Sequence, residues 1–360
     1  MELLLTTEQA MIRDAAKTFA HRRNGIARLR SDDGETTSLN KPVWQEAADA
    51  GWLAVLVSEK HGGLGLSLTE LCLIGEELGK TLVPEPVTTG AAVAAALAGS
   101  AYTEKIVDGT LVCMPGLTEG PRTIGDELLK SRATCNDTGW YLTGQKVGIT
   151  LADVADSFII SADSPEGPVL AYVLGNKINI HTAPTLDGAT LGTLSFIDTP
   201  GAIIANTNEY QKTISTLLDT LHISTAAELL GVMEAAQDIT VEYLKTREQF
   251  DRPIGSFQAL QHKAVDNLAT IELCRSLIYQ AANAFDQRGN ANGLASATLS
   301  RTIMSALNVC KSAIQLHGGI GFTDEHDIGL YLKRAMSLSA RYGNSGLHRK
   351  RYAEQVRTDS

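Results

Sequence analysis

Apolar positions along this chain keep two rhythms. From residue 5 to 105 they recur every three or four residues. From 106 to 205 they fall in short alternating runs broken by Gly, Asp, Asn and Pro, and from 206 onward the helical period returns. In TTEQAMIRDAAKTFAHRR, Met11, Ala15 and Phe19 repeat at four-residue spacing, with Thr6 or Thr7 as the expected N-cap and Glu8 in the first turn. Ser67 followed by Glu70 predicts a capping box at the head of SLTELCLIGEELGKTL. NKPVWQEAADAGWLAVLV predicts another helical stretch, and EKHGGLGL a glycine-rich connection. The runs TLVCMPGL, SRATCND, GWYLTGQKVGIT, DSFIISAD, GPVLAYVL and TLGTLSFID predict a small antiparallel β-domain. Periodic stretches over 207–246, 256–288, 292–317 and 326–339, with Pro253 at a break, predict a four-helix bundle. The expected fold class is therefore α+β and multidomain: helical over 1–105, β over 106–205, helical again over 206–360.

Composition narrows the function. With 360 residues, 44% hydrophobic and 20% charged, the chain can build two or three packed units. A net charge of −10 argues against a nucleic-acid footprint. The basic run HRKR at 348–351 reads as a solvated helix face. The five cysteines, Cys72, Cys113, Cys135, Cys274 and Cys310, form no CxxC pair and read as reduced core thiols of a cytoplasmic protein. The N-terminal apolar stretch is too short for a signal peptide, and no run approaches the ~20 residues of a membrane span. No metal-ligand spacing and no nucleophile–His–acid pattern stands out.

Two segments carry local chemistry. In YLKTREQFDRPIGSFQALQHKAVD, 243–266, Arg247 sits at a helix break with Gln258 just beyond. A guanidinium there can fork onto a phosphate, or it can satisfy terminal helix carbonyls. In IQLHGGIGFTDEH, 314–326, the amides around Gly318, Gly319 and Gly321 lie bare. They can approach a pyrophosphate closely, or form a Schellman-type cap.

Together with EKHGGLGLSLTELCLIGEELGKTLVPEP and GWYLTGQKVGITLADVAD, these segments resemble the acyl-CoA dehydrogenase family over nearly the whole chain. The resemblance implies an FAD-dependent oxidoreductase that takes an α-proton and a β-hydride from an acyl-CoA thioester. It implies that Arg247, Phe250, Gln258, Gln315, Gly318 and Gly319 grip the FAD of a neighbouring subunit, that Thr150 lies beside the flavin ring, and that an electron-transfer flavoprotein accepts the electrons.

The family pattern fails at the base. A C-terminal Tyr-Glu-Gly-Thr segment supplies it in many members, and RYGNSGLHR places Tyr342 at that glutamate. The alternative position, on the first long helix of the C-terminal domain, is Leu221. Glu228 is the remaining candidate for a catalytic base. Its helical neighbours Ser224, Thr225, Gly231 and Ala235 are small and suggest a groove for a ligand, and it shares a face with Leu221. Packing of that helix against another, with Glu228 paired to an arginine, is the competing reading. The Thr-Glu-Pro…Gly-Ser-Asp loop of the family is not found in VCMPGLTEGPRTIGDELL, and Gly148 stands where a bulky residue is usual. AAEL.G and the ending G-N-S-x-x-HR resemble an actinobacterial branch acting on steroid-side-chain CoA esters, whose enzymes are often α2β2 heterotetramers. The resemblance thus implies a subunit of a heteromeric dehydrogenase, with a homotetramer, a non-catalytic partner chain and a flavin-free acyl-CoA binding protein as the other readings.

Overall fold

The computed structural model describes residues 5–30, 39–120, 124, 129–291 and 293–358. Among the described residues, six α-helices come first: α1 (Thr7–Arg22), α2 (Gly25–Leu29), α3 (Lys41–Asp49), α4 (Leu68–Lys80), α5 (Val87–Ala96) and α6 (Thr103–Val107). A sheet domain follows with β1 (Cys113–Gly116), β2 (Arg132–Asn136), β3 (Gly139–Thr150), β4 (Ser157–Ser164), β5 (Gly167–Leu174), β6 (Asn179–Pro184) and β7 (Thr190–Ala205). The remainder is helical: α7 (Thr207–Thr246), α8 (Gln258–Arg288), α9 (Leu294–His317), α10 (Gly319–Phe322), α11 (Ile328–Arg341) and α12 (Ser345–Thr358).

Local capping explains where several helices begin. Thr6 accepts from the Gln9 amide while the Gln9 side chain reaches back, which starts α1. Ser67 with Glu70 does the same for α4, and Asn206 with Glu209 for α7. The sheet departs from the antiparallel expectation. Strands β1 and β2 run parallel to β4, because a crossover separates each pair in sequence. Strand β5 pairs with both β7 and β4, so the ladder β4–β2–β3–β7–β5 closes on itself and leaves no free edge among these strands.

Helix α7 spans 40 residues, roughly 60 Å at 1.5 Å per residue, and is the axis of the molecule. Its crossing with α4 is unusually close. A Cβ at Gly231 would lie 1.9 Å from the Glu76 carbonyl oxygen, and one at Gly79 would lie 2.2 Å from the Glu228 carbonyl oxygen. Gly231 therefore does not open a ligand groove, as its sequence context suggests. The backbone of α4 occupies that space. Two other expectations change. His348 of the HRKR run is fully buried against His222, with ring centroids 4.6 Å apart, because α12 folds back onto α9. Cys135 is exposed, while the other four cysteines are buried.

Candidate functional site

Strand β3 presents Gly148 and Thr150 to a pocket of about 530 Å³. The β6–β7 turn contributes Thr185, Leu186 and Asp187 to the opposite wall, and α11 closes it with Met336, Ala340 and Arg341. That volume is within the range of roughly 300–1,000 Å³ usual for small-molecule sites. Its rim is apolar yet uncovered: Leu186 is 60% exposed, Leu191 40% and Met336 43%. Gly148 has φ +75°, and no atom lies within 4 Å of where its Cβ would stand. A bulky residue there would both strain the backbone and fill the floor.

Behind this wall lies an ionic cluster drawn from all three parts of the chain. Arg334 Nη1 donates to Asp187 Oδ2 at 2.9 Å, and its Nη2 donates to the Val83 carbonyl at 3.2 Å. Arg334 and Arg341 stand 3.6 and 3.5 Å from Glu228 Oε2. Thr88 donates to Glu228 Oε1 at 2.5 Å. Two guanidiniums thus meet two carboxylates. Burial favours the neutral acid of Asp187, but Arg334 and the Thr185 hydroxyl outweigh it and hold the group below the usual carboxylate range. Glu228 is 6% exposed and stands one side chain behind the pocket, shielded by Arg341.

The two positions at which the sequence resemblance would place a base are closed by non-acids. Leu221 is fully buried in an apolar cluster against which Tyr342 packs. The Tyr342 hydroxyl is 3.1 Å from Thr89 Oγ1, and burial pushes its phenol above the usual range, further from use as a base at neutral pH.

Strand β3 also carries a feature that the sequence reading passed over. Lys146 is fully buried and donates to Glu119 at 2.7 Å and to Ser161 at 3.0 Å. Burial pushes Lys146 down to about 8, with Glu119 opposing the shift. Burial alone would raise Glu119, but Lys146, the Ser131 side and the Lys130 amide hold it at about 2. Thr118 and Glu119 therefore occupy the start of the loop expected to be lost, and tie it to β3 through Val147 N–H donating to the Thr118 carbonyl. The signal for this pair was a lone lysine inside an otherwise half-buried strand. Residues 121–123 and 125–128 of the same loop lie outside the described residues.

The remaining candidates sit away from the pocket, on the surface. A two-residue turn between Gln249 and Arg252, with φ +56° at Phe250 and +59° at Asp251, projects Phe250 outward at 85% exposure. Arg247 caps α7, Gln258 opens α8, and both are exposed. Gln315 lies in the last turn of α9, Gly318 caps it and Gly319 opens α10; all three are exposed as well, Gly318 at φ +66° and ψ −138°, a conformation suited to glycine. Tyr243 of α7 stacks on His317 of α9 at 4.5 Å, and this contact brings the two segments side by side. Their donors and bare amides suit an anionic tail, while the apolar slot at Thr150 suits a flat ring. Val265, Leu268 and Leu273 of α8 are 61%, 51% and 62% exposed, an apolar stripe of the kind that another chain covers. Among the described residues, no helix is long and apolar enough to cross a membrane, and no cluster of three potential metal ligands occurs.

Comparison with known proteins agrees with this geometry. The model of the acyl-CoA dehydrogenase N-terminal domain matches residues 6–104, and that of the C-terminal domain matches residues 212–357. Acyl-CoA dehydrogenase IpdE2 of Mycolicibacterium smegmatis is 32% identical over 93% of this chain and 91% of its own length. The probable acyl-CoA dehydrogenase YngJ of Bacillus subtilis is 28% identical over 99% of this chain and 100% of its own. A solved steroid acyl-CoA dehydrogenase, Tcur3481–Tcur3483, superposes with a TM-score of 0.89 at 28% identity, covering 98% of each chain.

Proposed function

Because the chain belongs to the acyl-CoA dehydrogenase family of oxidoreductases, we propose that it is one of two unlike chains of an FAD-dependent enzyme that introduces an α,β double bond into a bulky acyl-CoA. FAD, when bound, supplies the acceptor for the electron pair leaving the β-carbon. In this reading, Arg247, Phe250, Gln258, Gln315, Gly318 and Gly319 hold the diphosphate and adenosine of a flavin whose ring lies in the partner chain. That partner provides the carboxylate that takes the α-proton. An electron-transfer flavoprotein then removes the electrons.

One observation carries the proposal: both usual base positions of this chain hold buried or tied non-acids, Leu221 and Tyr342, and the carboxylates at and behind its pocket, Asp187 and Glu228, are engaged by Arg334 and Arg341. The exposed grip and the apolar stripe on α8 support a neighbouring chain. The paired designation of the Tcur3481–Tcur3483 steroid enzyme supports an unlike partner and a steroid-sized substrate. A second reading keeps Glu228 as the base, since only Arg341 separates it from the pocket.

Glu228→Gln in the assembled enzyme tells the two apart. If Glu228 is the base, turnover falls by roughly 10²–10⁴-fold with thermal stability nearly intact. If it only holds the arginines, the melting temperature falls and turnover per folded enzyme stays within tenfold.

A further inference from the structure

Where α1, α2, α4 and α7 meet, the chain encloses a cavity that shares no residue with the pocket at Thr150. Its volume is about 360 Å³, within the range of roughly 300–1,000 Å³ usual for small-molecule sites. We propose that it binds a small zwitterion, an α-amino acid with a short aliphatic side chain. The proposal goes beyond the dehydrogenase reading and does not depend on it.

The walls are preformed. The end of α4 is clamped from two sides: the Gly25 amide donates to the Thr81 carbonyl at 2.8 Å, and the Tyr331 hydroxyl donates to the Lys80 carbonyl at 3.0 Å. A Cβ at Gly25 would lie 1.9 Å from the Leu82 carbonyl oxygen, so the turn from α1 into α2 sits directly on that backbone. Asn24 Oδ1 accepts from the Ile26 amide at 2.9 Å and fixes Ile26 in the wall. A ligand entering such a site loses little to reorganisation of the protein.

Three polar groups in the lining are left without partners. Thr81 is 6% exposed, yet its hydroxyl makes no hydrogen bond. Lys17 of α1 and Asp238 of α7 are exposed at the rim. Neither makes a hydrogen bond or an ion pair among the described residues, so they do not meet each other across the cavity. Lys80, also in the lining, is already matched, 2.8 Å from Glu77 and 2.9 Å from Glu234. Desolvation and the nearby Glu234 raise the Asp238 carboxyl above its usual range, so a cation beside it would relieve a repulsion.

These groups are the complement of an amino acid. Asp238 suits its ammonium, Lys17 suits its carboxylate, and the Thr81 hydroxyl can accept a further N–H of the ammonium. Ile26, Ala235 and Ile239 give an apolar wall to a side chain of a few carbons. A simple amine or a simple acid would engage one charge and leave the other unpaired.

Ligand-observed NMR titration of the full-length protein, as purified, with L-valine tests this. Isobutylamine and isovalerate, which keep the carbon skeleton but carry one charge each, are titrated beside it. Valine is expected to bind with a Kd on the order of 1 mM or tighter, and each single-charge probe at least tenfold more weakly. Asp238→Asn and Lys17→Met should each weaken valine at least tenfold, the scale of one lost charge-assisted hydrogen bond. Both side chains are exposed, so these two variants keep the fold and decide the matter even if Thr81→Val does not fold. Thr81→Val should weaken valine by a smaller factor. No saturation transfer to valine at about 10 mM overturns the inference. Valine binding unchanged in both charge variants overturns it too, as do single-charge probes that bind as tightly as valine.

Discussion

Placing a methyl group at Gly231 puts carbon where α4 has backbone. The new Cβ would stand 1.9 Å from the Glu76 carbonyl oxygen and 2.9 Å from the Lys80 amide nitrogen. Even close C–H···O contacts keep carbon and oxygen about 3.3–3.6 Å apart. The helices must therefore separate by more than about 1 Å at that point, and backbone cannot rotate aside as a side chain can. On an isolated helix Gly→Ala would gain about 1 kcal/mol. Overpacking a tight core costs about 1–3 kcal/mol and more when the obstacle is rigid. A net loss of about 2 kcal/mol is expected, which at about 2.1 cal/mol/K of unfolding entropy per residue lowers the melting temperature of a 360-residue chain by about 3 °C. Gly329→Ala is the control: it lies in α11 with nothing within 4 Å of its Cβ, so propensity alone should act and stability should hold or rise. The two variants are compared by circular-dichroism melts and urea titrations. A Gly231→Ala protein as stable as the wild type would refute the close crossing and restore a vacant face beside Glu228.

Other expectations follow from the buried ionisable groups and the surface grip. His348 is driven down to about 4 by burial, and His222 falls in the same direction. Their rings are neutral when folded and take up protons on unfolding. Stability is therefore full above pH ~6.5 and falls as pH drops towards 4, by about 3 kcal/mol for His348 alone. Urea midpoints measured from pH 7 to 4.5 should show this slope, and His348→Asn should flatten it. Lys146→Met strands the Glu119 carboxylate in the barrel and should cost about 3–5 kcal/mol, with Glu119→Gln added to the same protein recovering a good part of it. Urea midpoints at pH 7 measure both. Arg247→Ala in the assembled enzyme removes a charged donor from the proposed diphosphate grip. It should weaken FAD retention at least tenfold in dialysis, at roughly 1.4 kcal/mol or more, while leaving the melting temperature of the flavin-free protein within a degree or two.

Local signals were legible wherever the structure is local. The reading of a helix over 207–246 coincides with α7, and the Ser67–Glu70 capping box starts α4 as expected. The three-part texture and the family likeness were equally open, since both rest on contiguous motifs. What escaped was set by contacts between distant segments. Nothing near Asp187 announces Arg334, 147 residues on, and nothing near Thr88 announces Glu228, 140 residues on. Closure of the sheet depends on β5 meeting both β4 and β7, which strand periodicity does not encode. Gly231 was legible as a place needing space but not as to what fills it. Gly75 and Gly79, one turn apart on α4, were the complementary signal, since small residues on two helices permit their backbones to approach. The Thr-Glu pair at 118–119 was obscured by the different residues after it, and only the buried Lys146 shows what it does.

The central claim is that this chain lacks its own base and works only with an unlike partner. The most direct measurement is acyl-CoA dehydrogenation by the purified chain, supplied with saturating FAD and an artificial electron acceptor, beside the same assay on the assembled pair. The account predicts no turnover above background for the chain alone and turnover for the pair. Steady turnover by the chain alone would contradict it, and would place a working base within its own cleft.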